Sequence, residues 1–210
     1  MKAERIPLST NYAVAYAVKA CDVDVVAVYP ITPQVEVAER IGQFIADGEL
    51  ETEYIPVESE HSAISACIGA SAAGARTFTA TASQGLALMH ECLFIASACR
   101  LPIVMVVTNR TLSAPINIHC EHSDTMASRD CGWVQLYVSS AQEAYDSVIQ
   151  AFRLAESNEI LLPIMICYDG YLLSHTYEPV FVHCDEDVRR FAPKKVERIL
   201  DPDNPVTLGC

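Results

Sequence analysis

The sequence predicts an α/β protein built on a doubly wound, mostly parallel six-stranded sheet with helices on both faces. Short runs rich in β-branched residues alternate along the chain with longer, alanine-rich segments of helical periodicity. The short runs are continuously apolar rather than alternating, which is typical of strands in a parallel sheet that is covered on both faces. The alternation of the two kinds of segment therefore favours an open α/β domain over a sandwich or a helical bundle.

Each element follows from the same reasoning. The strands are predicted at Val23–Val28, Glu53–Val57, Thr77–Ala80, Ile103–Val107, Val134–Val138 and Pro163–Tyr168. The helices are predicted at Asn11–Ala20, Gln34–Phe44, His61–Ala73, Gly85–Ala98, Thr125–Arg129 and Ala141–Ala155. The pattern ends after Tyr168. We therefore predict an α/β domain over residues 1–168 and an extended arm over residues 169–210, which leads towards a further domain or a partner subunit.

Composition excludes several functional classes. The net charge is −13, with 27 acidic and 14 basic residues, which argues against nucleic acid as a partner because phosphates require a basic surface. No apolar run reaches the ~18 residues of a membrane span, and the N-terminus has no signal-peptide pattern. The nine cysteines form no CxxC pair, so we expect reduced thiols, a cytoplasmic location and no iron–sulfur cluster bound by this chain alone.

The loop after the first predicted strand, "YPITP", holds a threonine between two prolines. Ligands of open α/β sheets bind beyond the carboxyl ends of the strands, so such loops are the places to look for a site. Pro30 and Pro33 restrict the backbone on both sides of Thr32. Thr32 is either a hydroxyl donor aimed at a ligand or only a helix N-cap, with Pro33 at the first helical position.

The next two loops carry carboxylates and hydroxyls. In "VESEHSA", Glu58 and Glu60 are either acids favoured by the dipole of the following helix or a source of one carboxylate that binds a polarised ring nitrogen in a pocket. In "TFTATASQGL", hydroxyls and the backbone N–H groups near Ser83 are available to a ligand. This second loop lacks the GxxxxGK[ST] pattern of a phosphate-binding loop.

The fourth loop begins at Arg110, directly after an apolar strand. A guanidinium matches the two oxygens of a carboxylate, although Arg110 could equally pair with a local Asp or Glu. His119 and His122 flank Cys120, but their spacing does not fit common zinc sites, so we predict no metal site here.

Taken together, the loops resemble the α subunit of 2-oxoacid:ferredoxin oxidoreductases, most of all pyruvate:ferredoxin oxidoreductase. The matching segments are "YPITP", "ESEHSAISACIGASAAGARTFTATASQGL", "VVTNRTLSAP", "HSD", "RDCGW" and "SAQEAYD". They follow the order and spacing of the family and cover about residues 11–168.

The resemblance implies a pyrimidine-binding domain of a thiamine diphosphate enzyme. Glu60 matches the glutamate that reaches N1′ of the aminopyrimidine ring in that family, and it does so better than Glu58. By the same matching, Thr32 and Arg110 would bind the oxoacid substrate. Pro30 and Ser83 are expected on the cofactor side of the site. The implied reaction is oxidative decarboxylation to acyl-coenzyme A and CO2, with electrons passed through iron–sulfur clusters to ferredoxin.

The resemblance also implies partners. The "GDG" motif that holds Mg²⁺ and the diphosphate belongs to a β subunit in this family and is absent from this sequence. The clusters likewise belong to partner chains, including γ- and δ-type subunits. Two other interpretations remain open: a subunit of a non-redox thiamine diphosphate decarboxylase or transferase, and a non-catalytic assembly module.

Overall fold

The structure is a computed structural model that describes residues 3–112, 115–117, 119, 121–195, 201 and 203. Its strands are β1 Glu4–Leu8, β2 Val25–Val28, β3 Glu53–Pro56, β4 Thr77–Thr81, β5 Val104–Asn109, β6 Val134–Tyr137, β7 Ile164–Asp169 and β8 Glu178–Val182. Its helices are α1 Thr10–Ala20, α2 Val35–Ala46, α3 Glu60–Ala72, α4 Ser83–Leu88, α5 His90–Ala98, α6 Ser123–Met126, α7 Ala141–Ala155, α8 Leu172–His175 and α9 Asp185–Phe191.

The predicted six-stranded sheet is confirmed, and all of its neighbouring strands run parallel. The strand order is β3-β2-β4-β5-β7-β6. One hydrophobic core lies between the sheet and α1, α2 and α7, and a second lies between the sheet and α3, α4 and α5. Successive residues of β5 enter opposite cores, Val104 and Val106 the first, Met105 and Val107 the second, as expected for a strand buried on both faces.

The strand order places a switch point at β2. The chain passes from β2 to β3 on one side and then returns to place β4 on the other side of β2. Ligands of open α/β sheets bind in the crevice that such a reversal opens at the carboxyl ends of the strands. The loops after β2, β4 and β5 therefore border the expected binding edge.

Three departures of the helices from the prediction affect the site, besides shifts of one or two residues at other helix ends. The segment Gly85–Ala98 is not one helix, because it divides at Met89 into α4 and α5. Helix α6 covers Ser123–Met126 rather than Thr125–Arg129. Helix α2 begins at Val35, and its cap residue is Gln34. The interpretation of Thr32 as the N-cap, with Pro33 as the first helical residue, is therefore wrong.

The described part of the predicted arm contains secondary structure that the sequence pattern did not reveal. Strand β8 pairs antiparallel with β1, which gives a small second sheet. Helix α9 packs against α1, and Val188 of α9 joins the first hydrophobic core. Most of the residues after Lys195 lie outside the described ranges, and the boundary at residue 168 stays a prediction.

Two further expectations bear on the environment of the chain. Within the described residues, no helix combines the length and the hydropathy needed to cross a bilayer. The described cysteines are free thiols. Burial raises the pKa of Cys21 and of Cys67 to about 12, so these two thiols are protonated at neutral pH.

Candidate functional site

Thr32 and Arg110 line the same small cavity at the carboxyl edge of the sheet. The cavity measures about 130 Å³, and its other lining residues are Pro33, Gly170, Tyr171 and His175. The loop that carries Thr32 is tied down on two sides. Asn11 Nδ2 donates to the Pro33 carbonyl at 2.9 Å, and Gln34 Nε2 donates to the Tyr29 carbonyl at 2.8 Å. The "YPITP" loop is therefore held by hydrogen bonds as well as by its prolines.

The Arg110 guanidinium keeps hydrogen-bonding capacity for a ligand. Its Nη2 donates to Gln84 Oε1 at 3.0 Å, and its Nε is buried with no hydrogen-bond partner. Among the described residues no acid forms a salt bridge with it. A buried, unpartnered donor on a permanent cation is unfavourable unless an anion occupies the site.

Glu60 is the first residue of α3, and its side chain is buried, with 6% of the residue exposed. In the part of the chain that the structure describes, its carboxylate has neither a hydrogen-bond donor nor a cation beside it. Glu58, two residues earlier, is exposed and accepts a hydrogen bond from Ser62, which lowers the pKa of that carboxyl. The two acids that the sequence left as alternatives are therefore in different environments.

The Glu60 side chain lies against the first turn of α4. A Cβ placed on Gly85 would stand 2.6 Å from Glu60 Oε1 and 2.9 Å from Glu60 Cγ, and closer still to Thr81 Oγ1. The Thr81 hydroxyl is itself buried without a partner. Only glycine at position 85 leaves room for this arrangement, so the close approach explains why a residue without a side chain is needed there.

The other two predicted cofactor residues are placed differently. Ser83 is fully buried, and its Oγ lies 2.5 Å from the Thr111 carbonyl and 2.6 Å from Gln84 Oε1. Its φ of +46° lies in the left-handed region, which residues other than glycine rarely adopt. Pro30 is exposed beyond the end of β2. Their roles toward a cofactor stay predictions.

Asp124 is a site residue to which the sequence analysis gave no role. It is 2% exposed, and its two carboxylate oxygens accept hydrogen bonds from Ser83, Asn109, Arg110 and Thr125. Desolvation raises the pKa of its carboxyl group, and the hydrogen bonds it accepts oppose that rise. The only sequence signal was its membership of the "HSD" segment, because three of its four partners come from distant parts of the chain.

The two histidines considered as metal ligands, His119 and His122, each pack against a tyrosine ring. The ring centroids of His119 and Tyr171 are 4.6 Å apart, and those of His122 and Tyr137 are 5.0 Å apart. Cys120 lies outside the described residues. A different trio with metal-ligating atoms, His61, Glu91 and Cys92, comes together within 4.8 Å on α3 and α5. His61 Nε2 and Glu91 Oε1 already lie within hydrogen-bonding distance of each other, at 3.1 Å.

The fold and the site together define a class of protein: an α/β ligand-binding domain whose polar groups gather at the carboxyl edge of a parallel sheet. Residues 16–210 match the family model described as pyruvate flavodoxin/ferredoxin oxidoreductase, thiamine diphosphate-binding. This chain belongs to that family.

Relatives of the chain agree with this assignment. It is 61% identical over 201 residues to the pyruvate synthase subunit PorA of Methanocaldococcus jannaschii, which covers 94% of this chain and 51% of that protein. It is 55% identical to the Thermotoga maritima PorA, covering 98% of this chain and 53% of that protein. It is 50% identical to the ketoisovalerate oxidoreductase subunit VorA of Pyrococcus abyssi, covering 97% of this chain and 51% of that protein. The chain thus spans about half the length of these relatives.

A solved structure shows the same fold. The 2-oxoglutarate:ferredoxin oxidoreductase from Magnetococcus marinus, with 2-oxoglutarate, coenzyme A and succinyl-CoA bound, superposes with a TM-score of 0.77 at 25% identity. The match covers 88% of this chain and 32% of that chain.

Proposed function

We propose that this chain supplies the pyrimidine-binding half of the thiamine diphosphate site of a cytoplasmic pyruvate:ferredoxin oxidoreductase. The enzyme would convert the oxoacid and coenzyme A to acyl-coenzyme A and CO2 and pass electrons to ferredoxin. A β subunit would hold the diphosphate and Mg²⁺, and partner chains, including γ- and δ-type subunits, would carry the iron–sulfur clusters. The family match and the pyruvate synthase subunits among the relatives support this proposal.

The observation that carries the proposal is the environment of Glu60. Glu60 is 6% exposed, and its carboxylate has no hydrogen-bond partner among the described residues, so it is available to a donor supplied from outside the chain. A ring nitrogen of the aminopyrimidine would be such a donor in its protonated form, with the proton lying between the nitrogen and the Glu60 carboxylate. Glu60 begins the helix that follows β3 and so lies at the carboxyl edge of the sheet, where ligands of open α/β sheets bind, although it is not among the residues that line the cavity of Thr32 and Arg110.

Three residues of this chain would then have separate roles toward the cofactor and the substrate. Glu60 would hold a proton at the ring nitrogen and so favour the reactive tautomer of the cofactor. The Arg110 guanidinium would bind the carboxylate of the oxoacid through donors that the protein leaves free. The Thr32 hydroxyl, in the same cavity, would donate to the substrate. Thiamine diphosphate, when bound, supplies the nucleophilic carbon and the electron sink for decarboxylation.

The cavity favours a small monoacid. Of the described residues that line it, Arg110 is the one with a permanent positive charge, which suits a substrate with one carboxylate. A volume of about 130 Å³ is small for a ligand pocket. Pyruvate fits both properties better than a dianion such as 2-oxoglutarate, and branched-chain oxoacids are the second choice, given the ketoisovalerate oxidoreductase subunit among the relatives.

The test is the substitution Glu60→Gln in the full-length chain assembled with its partner subunits. Pyruvate-dependent reduction of a one-electron dye should fall at least a hundredfold while the complex still assembles. Glu58→Gln is the matched control. It removes the same charge two residues earlier in the chain, and the Glu58 side chain is exposed. A Glu60→Gln enzyme that turns over at a rate near that of the Glu58→Gln control would disprove the proposal.

Two measurements address the other interpretations. A non-redox thiamine diphosphate enzyme would use the same glutamate without clusters, so an active complex free of iron and labile sulfide would favour it. An assembly module would give complexes whose turnover is indifferent to Glu60.

A further inference from the structure

The Asp124 carboxylate hydrogen-bonds to two loops of the candidate site: the loop after β4, which contains Ser83, and the loop after β5, which contains Arg110. Oδ2 accepts from the backbone N–H of Ser83 at 3.1 Å and of Arg110 at 3.2 Å. Oδ1 accepts from Asn109 Nδ2 at 2.7 Å and from the Thr125 N–H at 2.8 Å. Within the described residues no cation pairs with it, so N–H groups alone compensate its charge.

The groups that donate to Oδ2 carry the residues of the site. The Arg110 N–H fixes the backbone from which the guanidinium extends into the cavity. The Ser83 N–H fixes the start of the turn that contains Gln84 and Gly85. Gln84 accepts from Arg110 Nη2, and Gly85 lies against the Glu60 carboxylate.

The backbone at Ser83 gives independent support. A serine with a φ of +46° is strained and persists only where its surroundings impose that conformation. The Asp124 hydrogen bond, together with the burial of the serine hydroxyl against the Thr111 carbonyl, supplies that constraint. Strain of this kind tends to occur at functional sites.

We infer that Asp124 is a positioning residue that sets Arg110 and the Ser83–Gly85 turn in a fixed relation to Glu60. It contacts neither substrate nor cofactor in this inference and acts through Arg110 and the turn. The inference rests on the proposed function, because the residues it positions are those assigned there to the oxoacid and the cofactor.

Asp124→Asn is the informative substitution, studied in the full-length assembled enzyme. Each side of the carboxylate faces two N–H donors, so an amide must turn its NH2 group against one pair in either orientation. We expect the KM for pyruvate to rise at least tenfold, with the KM for coenzyme A within twofold of its original value. Asp130→Asn is the matched control, since that acid is exposed and pairs only loosely with Arg129 at 3.7 Å.

A double-mutant cycle with Arg110→Ala separates positioning from a general loss of stability. If Asp124 acts through Arg110, the rise in KM caused by Asp124→Asn should disappear in the Arg110→Ala background. Multiplicative effects in the cycle, or a pyruvate KM within twofold of the original, would overturn the inference. Should Asp124→Asn fail to assemble, Asp124→Glu must show the same KM pattern, because it keeps the charge but displaces the oxygens.

Amide hydrogen exchange gives a readout that does not depend on turnover. The amides of Ser83 and Arg110 should exchange at least tenfold faster in Asp124→Asn than in the Asp130→Asn control. Unchanged exchange would refute the role of Asp124. An enzyme without pyruvate-dependent turnover would instead refute the proposed function, and the exchange rates would still decide whether Asp124 holds the two loops.

Discussion

Glu60 and Gly85 lie so close together that the space a Cβ would occupy on Gly85 is already taken by the Glu60 carboxylate. The distance from that position to Glu60 Oε1 would be 2.6 Å, and Thr81 Oγ1 would be closer still. The first turn of α4 therefore determines where the Glu60 carboxylate sits. This dependence makes position 85 a test of the site in which no polar side chain is substituted.

Gly85→Ala should impair cofactor use more than folding. The added methyl group has to displace the Glu60 side chain, and overpacking of this kind costs about 1–3 kcal/mol of unfolding free energy. We expect weaker thiamine diphosphate binding by calorimetry and a large loss of turnover. Gly69→Ala is the control, because a Cβ on that residue of α3 meets nothing within 4 Å, and it should be neutral or slightly stabilising. Equal cofactor affinities in the two variants would contradict the prediction.

Gly170→Ala should distort the cavity that Thr32 and Arg110 line. A Cβ there would stand 3.1 Å from the Asn109 carbonyl carbon, closer still to its oxygen, and 3.0 Å from Pro33 Cγ. The Gly170 N–H donates to the Asn109 carbonyl at 2.9 Å, so the backbone has little freedom to retreat. We expect a loss of about 1–3 kcal/mol of unfolding free energy and a raised KM for pyruvate.

The comparison variant for this prediction is Gly42→Ala on α2, where a Cβ would meet nothing within 4 Å. Denaturant unfolding and steady-state kinetics on both variants decide the matter. A Gly170→Ala enzyme with the stability and KM of the Gly42→Ala enzyme would show that the contact is tolerated.

Glu156→Gln should destabilise the chain strongly, because it leaves a buried guanidinium without its counter-ion. Arg76 and Glu156 are each 1% exposed and are joined by two hydrogen bonds of 2.6 Å. Breaking a buried pair from one side costs roughly 3–5 kcal/mol. The free energy of unfolding, from urea titration, measures this loss. Glu49→Gln removes the acid of the exposed Lys19–Glu49 pair and should cost about 1 kcal/mol or less.

The same pair links the chain after α9 to the sheet. Arg76 Nη2 also donates to the Ala192 carbonyl at 3.1 Å, and the Lys195 N–H donates to Glu156 Oε2 at 3.0 Å. Limited proteolysis of Glu156→Gln should therefore cut first near residues 192–195. Cleavage there at the rate seen in Glu49→Gln would argue against this anchoring.

The sequence predicted the parallel sheet well because its signals are local. A strand buried on both faces is a continuous apolar run, and β5 and β7 show this in their own residues. The resemblance implied a common substrate for Thr32 and Arg110. The structure places both at one cavity, and each follows a strand of the same parallel sheet.

Other features could not be predicted from local patterns. Strand β1 contains Pro7 and two charged residues, and it is recognisable as a strand only through its pairing with β8 at the far end of the described chain. Helices α4 and α5 carry one uninterrupted helical pattern, so nothing in it marks the division at Met89. Asp124 gained its importance from donors on two strand ends that only the folded chain brings together.

The pairing of β1 with β8 has a consequence for how the protein is made. Glu4 is paired with Val182, so β1 has no partner until translation has passed residue 182. At ~5–20 residues per second, that delay is roughly ten to thirty-five seconds. During that interval the backbone N–H and C=O groups of β1 lack the strand with which they pair in the folded chain.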